Sequence, residues 1–105
     1  MNTVLECWQI VSVLDNEKLV GKVLWGICVD DMTSRFRPGD YVCTSKITEI
    51  IPKSKLIKTH TGSSYQVQGD GIEAEIQVKD FDLLRRGFSP EEINQLRLAQ
   101  SDLLH

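Results

Sequence analysis

Long apolar runs are missing from this chain, and none approaches the roughly 20 residues that a membrane-spanning helix needs. The amino-terminal stretch MNTVLECWQIVSVL has no basic leader, and Glu6 interrupts its apolar run. Neither a secretion signal nor a transit peptide is expected, so the expected location is the cytoplasm. Cysteine is scarce and odd in number: Cys7, Cys28 and Cys43 contain no Cys-x-x-Cys pair. A disulfide framework or a zinc site is therefore not expected. Histidine is limited to His60 and the terminal His105, neither with a neighbour at metal-ligand spacing. No metal and no cofactor are expected. Aromatics make up only 7% of the chain, and it has no internal repeat or low-complexity tract.

What is present is the composition of an ordinary folded domain. At 105 residues, 41% hydrophobic and 26% charged, the chain is long enough to bury a single core but too short for two independent ones. The net charge of -3 conceals a gradient. Residues 1–34 hold two basic and five acidic side chains, residues 35–60 hold six and two, and the remainder holds four and eight. A basic middle between acidic flanks marks either an anion-binding face or the solvated side of a sheet, the second being the commoner cause.

The hydrophobic pattern predicts a mainly β, α+β single domain. Its β part covers about residues 5–78, its two short helices about residues 80–100. CWQIVSVL alternates as a strand, with Gln9, Val11 and Val13 on one side, although Val4, Trp8 and Val11 are also spaced for a helix. VGKVLWGICV reads as a buried strand, with a bulge or close backbone approach at Gly26. The turn PGD launches YVCTSKITEII, which Pro52 ends. KLIKTH, SSYQVQ and IEAEIQV, separated by glycine-containing connectors, predict a three-strand meander. In the last third, Asp80 is placed to cap a short helix that Gly87 ends. Ser89, Pro90 and Glu92 then form a capping box for a second helix. About six strands and two helices suggest an antiparallel, strongly bent sheet or small, partly open barrel.

The chemical motifs have competing structural readings. QGDGIEAE has glycines like a phosphate loop, but a strand pattern follows where a helix is required, so a turn is the better reading. Glu73 and Glu75 alternate with Ala74 and Ile76, which describes solvated charges guarding a strand edge. His60 lies among Thr59, Thr61, Ser63 and Ser64, yet a hairpin tip is polar for its own reasons. Catalysis would need His60, Asp31, Glu73 or Glu75 to converge in a pocket. The candidate ligand-binding face is basic: Arg35, Arg37, Lys46, Lys53, Lys55 and Lys58, with Phe36, Tyr41 and Tyr65 as aromatic contacts. Against a nucleic-acid role stand the acidic pI of about 5.3 and the low aromatic content. Leu96, Leu103 and Leu104 require cover, from the sheet or from a second copy in a homodimer.

KVLWGICVDD, RFRPGDYVCTSKI and DFDLLRRGFSPEEI together resemble small bacterial proteins carried on mobile elements such as integron gene cassettes and prophages. The resemblance covers most of residues 20–94. It implies an accessory role and transfers no site residue. The function expected is that of a non-catalytic binding or adaptor protein with a protein partner. A nucleic-acid-binding barrel is the alternative, and a small enzyme the third reading.

Overall fold

The computed structural model describes the backbone of residues 2–103 and the side chains of residues 2–99. β-Branched and aromatic residues crowd the first two-thirds of the chain, and these stretches are extended. They form β1 (Thr3–Asp15), β2 (Lys18–Asp31), β3 (Tyr41–Ile51), β4 (Leu56–Thr59), β5 (Ser64–Val67) and β6 (Ile72–Gln77). Two helices follow, α1 (Phe81–Arg85) and α2 (Pro90–Leu103). The mainly β reading with two carboxyl-terminal helices holds, and residues 3–14 are strand rather than helix.

Strand order is β2-β3-β4-β5-β1-β6, with β2 also paired to β1. The pairings thus return to β1, but the long β1/β2 hairpin runs on beyond them, leaving a bent, partly ring-like sheet rather than a closed barrel. The expected antiparallel pairing needs one correction, because the sheet is mixed. β1 runs parallel to β5 over Thr3–Leu5 and parallel to β6 over Gln9–Leu14. The expected three-strand meander fails for the same reason: β4 and β5 form a hairpin, but β6 pairs with β1. The connector 68–71 carries the chain forward along β1 instead of turning it back.

A bulge in β1 explains the imperfect alternation of the sequence. Glu6 stands opposite Ile27 and Gln9 opposite Trp25, so β1 carries one extra residue, and Cys7 takes it up in a left-handed conformation (φ 49°). Because strand side chains alternate, one extra residue exchanges the two faces. Before the bulge, Leu5 packs with Leu24, Cys28, Val42, Ile57, Tyr65 and Val67 inside the ring. After it, Val11 and Val13 pack with Val23, Trp25, Ile76, Leu84 and Ile93 beneath the helices. Two core clusters result, each fully buried aliphatic side chain contributing about 1.5–3 kcal/mol. Gly26 has no bulge of its own; a Cβ there would lie 3.3 Å from the Glu6 carbonyl oxygen and from Leu5, so this glycine serves close approach. One of the further register shifts is a bulge in β3 between the pairs Val23–Lys46 and Trp25–Cys43. There the Leu24 amide donates to the Thr44 hydroxyl at 3.0 Å, so the buried donor keeps a partner.

The capping box forms as its residues specify. The Glu92 amide donates to Ser89 Oγ at 3.2 Å, and the Ser89 amide donates to Glu92 Oε1 at 3.0 Å. Gly87 ends α1 at φ 109°. Asp80 departs from expectation: it makes no side-chain cap to α1. Its carboxylate instead accepts from Arg97 Nε of α2 at 2.5 Å, tying the two helices together. Gln9 Nε2 donates to Glu91 Oε2 at 3.0 Å and fixes the start of α2 to the sheet. Burial opposes the Glu91 charge, but the Gln9 and backbone hydrogen bonds outweigh it and lower the pKa.

Candidate functional site

The bulge that exchanges the faces of β1 also builds a groove. Immediately after Cys7, the Trp8 indole N–H donates to the carbonyls of Gln68 (3.1 Å) and Gly69 (3.3 Å) in the β5–β6 connector. Gly71 is required beside it, because a Cβ there would collide with the Trp8 ring. Across from this connector, Pro52–Ser54 form a 3-10 turn that ends with Lys55 in the left-handed region (φ 53°), its amide donating to the Pro52 carbonyl at 3.2 Å. Between the turn and the connector lies an open groove of about 420 Å³. Trp8, Ile50, Leu56 and Val67 make it apolar, and Lys55 and Asp70 give it charges of both signs. Ile50 is 45% exposed, high for a large aliphatic residue.

The residues of RFRPGDYVC occupy a separate region. Arg37–Asp40 is a turn in which the Asp40 amide donates to the Arg37 carbonyl at 3.0 Å and Gly39 takes φ 92°, as proline followed by glycine requires. Asp31 organises the preceding loop. Its Oδ1 accepts from Thr3 Oγ1, Thr33 N and Thr33 Oγ1 at 2.8, 3.0 and 2.6 Å, and its Oδ2 from the Arg35 and Phe36 amides at 2.8 and 2.9 Å. Burial pushes this carboxyl up, but the hydrogen bonds from Thr33, Thr3 and the loop amides overcome that and hold it far below the usual carboxylate range.

The basic candidates scatter. Arg35 stacks on Phe36 at 5.3 Å, donates from Nε to Thr33 Oγ1 at 2.9 Å and reaches Ser63 Oγ at 3.3 Å, so it binds its loop to the β4–β5 hairpin. Arg37 is exposed on the turn. Lys46 lies along Gly21, its Cδ and Cε 3.4 Å from where a Cβ would stand, and lines an apolar groove of about 300 Å³ with Val20 and Phe81. Lys58 faces Glu49 across the β3–β4 ladder. Lys53 is exposed in the 3-10 turn, and Lys55 alone of the six lines the Trp8 groove.

Among the aromatics, Phe36 and Tyr41 meet in an open depression of about 510 Å³ with Asp40, Cys43 and Arg85. The Tyr41 hydroxyl donates to the Arg85 carbonyl at 3.0 Å. Burial pushes the Cys43 thiol up to about 11, with Arg85 offsetting part of the effect. Tyr65 is 4% exposed inside the ring cluster, so its ring packs and presents no free face.

Asp31, His60, Glu73 and Glu75 line none of these grooves. Asp31 is engaged in its loop, His60 is exposed at the β4–β5 hairpin, and the two glutamates lie on β6. Among the described residues no group of three or more His, Cys, Asp or Glu side chains could hold a metal ion. No helix among them is long and apolar enough to cross a membrane. On α2, Leu96 is 44% exposed, whereas the side chains of Leu103 and Leu104, like His105, lie outside the described residues.

Trp8, Ile50 and Leu56, the core of the groove, carry no sequence signal as a set. Their nearness depends on the Cys7 bulge and on β6 continuing past β5, and neither is specified by local pattern. The closest signal is the pair Gly69 and Gly71, which reads as turn glycine until the indole is seen against it. No family model, curated protein or solved structure matches the chain.

Proposed function

We propose that this chain is a non-catalytic binding protein that engages a protein partner through the Trp8 groove. The observation that carries the reading is an open apolar groove whose tryptophan is held by two carbonyls, beside a strand whose outer edge pairs with no other strand among the described residues. A hydrogen-bonded indole near the exposed Ile50 is a suitable anchor, since buried aromatic contacts supply much of the energy of protein interfaces. The resemblance to mobile-element proteins adds an accessory setting to the proposal. The nucleic-acid alternative has less support, because Lys46, Lys55 and Lys58 serve different surfaces and Tyr65 is interior.

The test is a photoreactive residue placed at Ile50 in the groove or at Leu19 on the distant β1–β2 hairpin. Crosslinking in a lysate of the native host should yield a discrete protein adduct from position 50 and none from position 19. Groove binding is refuted if the two positions give the same adducts, or if the adduct at position 50 is nucleic acid.

A further inference from the structure

We infer that the outer edge of β6 is a strand-addition site, accepting an extended partner segment whose alternate residues are basic on one face and apolar on the other. The inference rests on the groove reading and specifies the chemistry of the partner. Among the described residues β6 pairs only with β1, and no turn, loop or cap backbone hydrogen bond outside that ladder involves Ile72–Ile76. In such a pair every second residue turns its N–H and C=O away from the neighbour, leaving a template for another strand.

The groove and this edge are continuous. β5 and β6 follow one another along the same side of β1. β4 covers the outer side of β5 but begins only at Leu56, after the Val67 amide has bonded the Lys55 carbonyl at 3.0 Å. The lane that β4 fills beside β5 is therefore uncovered beside β6. The Trp8 groove opens at its head, between Lys55 and Leu56 on one side and Gly69–Gly71 on the other.

Charge selects the occupant. Partners in the β1–β6 ladder share a face, so Ile72, Ala74 and Ile76 stand with Gln9, Val11 and Val13 on the helix side. Glu73 and Glu75 stand with Ile10 and Ser12 on the opposite face. Both glutamates are exposed, and neither belongs to an ion pair among the described residues. A strand added to β6 would set its side chains beside them, where Lys or Arg is favoured, while its other face would meet Ile72, which is 53% exposed. A second copy fits poorly. Two β6 edges joined antiparallel about an axis normal to the sheet would gather Glu73 and Glu75 of both copies on one face, and like charges across a ladder destabilise it. The acids that keep this edge from pairing at random thus also set the charge of the strand it admits.

The experiment titrates the ¹⁵N-labelled full chain with a capped heptapeptide of alternating lysine and valine. Controls are the same peptide with glutamate for lysine, and the lysine peptide N-methylated at every backbone amide, equal in charge but lacking the donors on both of its edges. The lysine peptide should slow amide exchange across Ile72–Gln77 and shift the Trp8 indole resonance. The double variant Glu73→Lys/Glu75→Lys should weaken it about tenfold and admit the glutamate peptide instead. Equal binding of the N-methylated control, or an affinity unchanged by charge reversal, would overturn the inference. Concentration-dependent β6 shifts without peptide would overturn it in favour of a second copy. Movement of the Trp8 and Ile50 resonances with β6 untouched would overturn strand addition and leave the groove reading standing. Protection of β6 with Trp8 unmoved would do the reverse.

Discussion

Replacing Asp31 by alanine removes the acceptor of five hydrogen bonds at once, and its cost can be worked out donor by donor. The Thr33 hydroxyl and the exposed Arg35 amide can turn to water at little cost. The Thr3 hydroxyl cannot, because Thr3 is fully buried. The Thr33 and Phe36 amides are fixed in direction in a part-buried loop. Leaving such donors unpaired costs about 1–3 kcal/mol each, with partial water access favouring the lower figure, so Asp31→Ala should lose about 3 kcal/mol. With a urea dependence of about 1.5 kcal/mol per molar, the unfolding midpoint should fall by about 2 M. The pH dependence has a definite sign. A carboxyl held below its ordinary value contributes its full stability above the unfolded pKa of about 4 and loses it as the pH falls toward the folded value. The gap between wild type and variant should therefore be constant from neutral pH to about 5 and close in stronger acid. A loss below about 0.5 kcal/mol at pH 7, or a gap that does not narrow in acid, would refute the role given to these hydrogen bonds.

Three further outcomes are expected. Gly71→Ala drives a Cβ into the Trp8 ring, so it should cost about 2 kcal/mol and shift the Trp8 indole proton resonance; an unmoved indole would show that the contact does not set the groove. Iodoacetamide at pH 8, followed by peptide mass spectrometry, should label exposed Cys7 well before Cys43 and buried Cys28, since both of the latter thiols are raised, mainly by burial. Ser89→Ala should cost about 1 kcal/mol in thermal or urea unfolding, because it removes one half of the capping box.

Local rules made part of this molecule readable. Ser89, Pro90 and Glu92 define their helix start through bonds that span three residues, and Pro38 with Gly39 defines its turn within four. Such signals need no tertiary context. The sheet was legible as strands but not as pairings: β6 has the alternation expected of a hairpin partner for β5, yet it continues along β1. Nothing local in QGDG distinguishes a reversal from a step forward. The Cys7 bulge is silent because cysteine has no special preference for positive φ, so only the exchange of faces between Leu5 and Val11 discloses it. Asp80 shows the opposite failure, a good capping residue diverted by a distant arginine. The candidate site inherits these limits. Charge along the chain suggested one basic face, whereas the ladder sets Glu49 against Lys58, lays Lys46 over Gly21 and brings only Lys55 to the groove.

Under the proposed function, a protein partner is held by the apolar groove and not by the basic side chains. The most direct measurement is the affinity of the partner crosslinked at position 50 for three forms of the full chain: wild type, Ile50→Asp, and the triple charge reversal Arg37→Glu/Lys53→Glu/Lys58→Glu, which leaves Lys55 of the groove in place. Ile50 is exposed, so its substitution leaves the fold intact and removes only groove contact. Burying one such aliphatic side chain is worth about 1.5–3 kcal/mol, so Ile50→Asp should weaken binding by at least about tenfold. The triple reversal should stay within about threefold of wild type, the modest effect of rim charges. The opposite pattern, a silent Ile50→Asp and a triple reversal that abolishes binding, would return the function to the basic face.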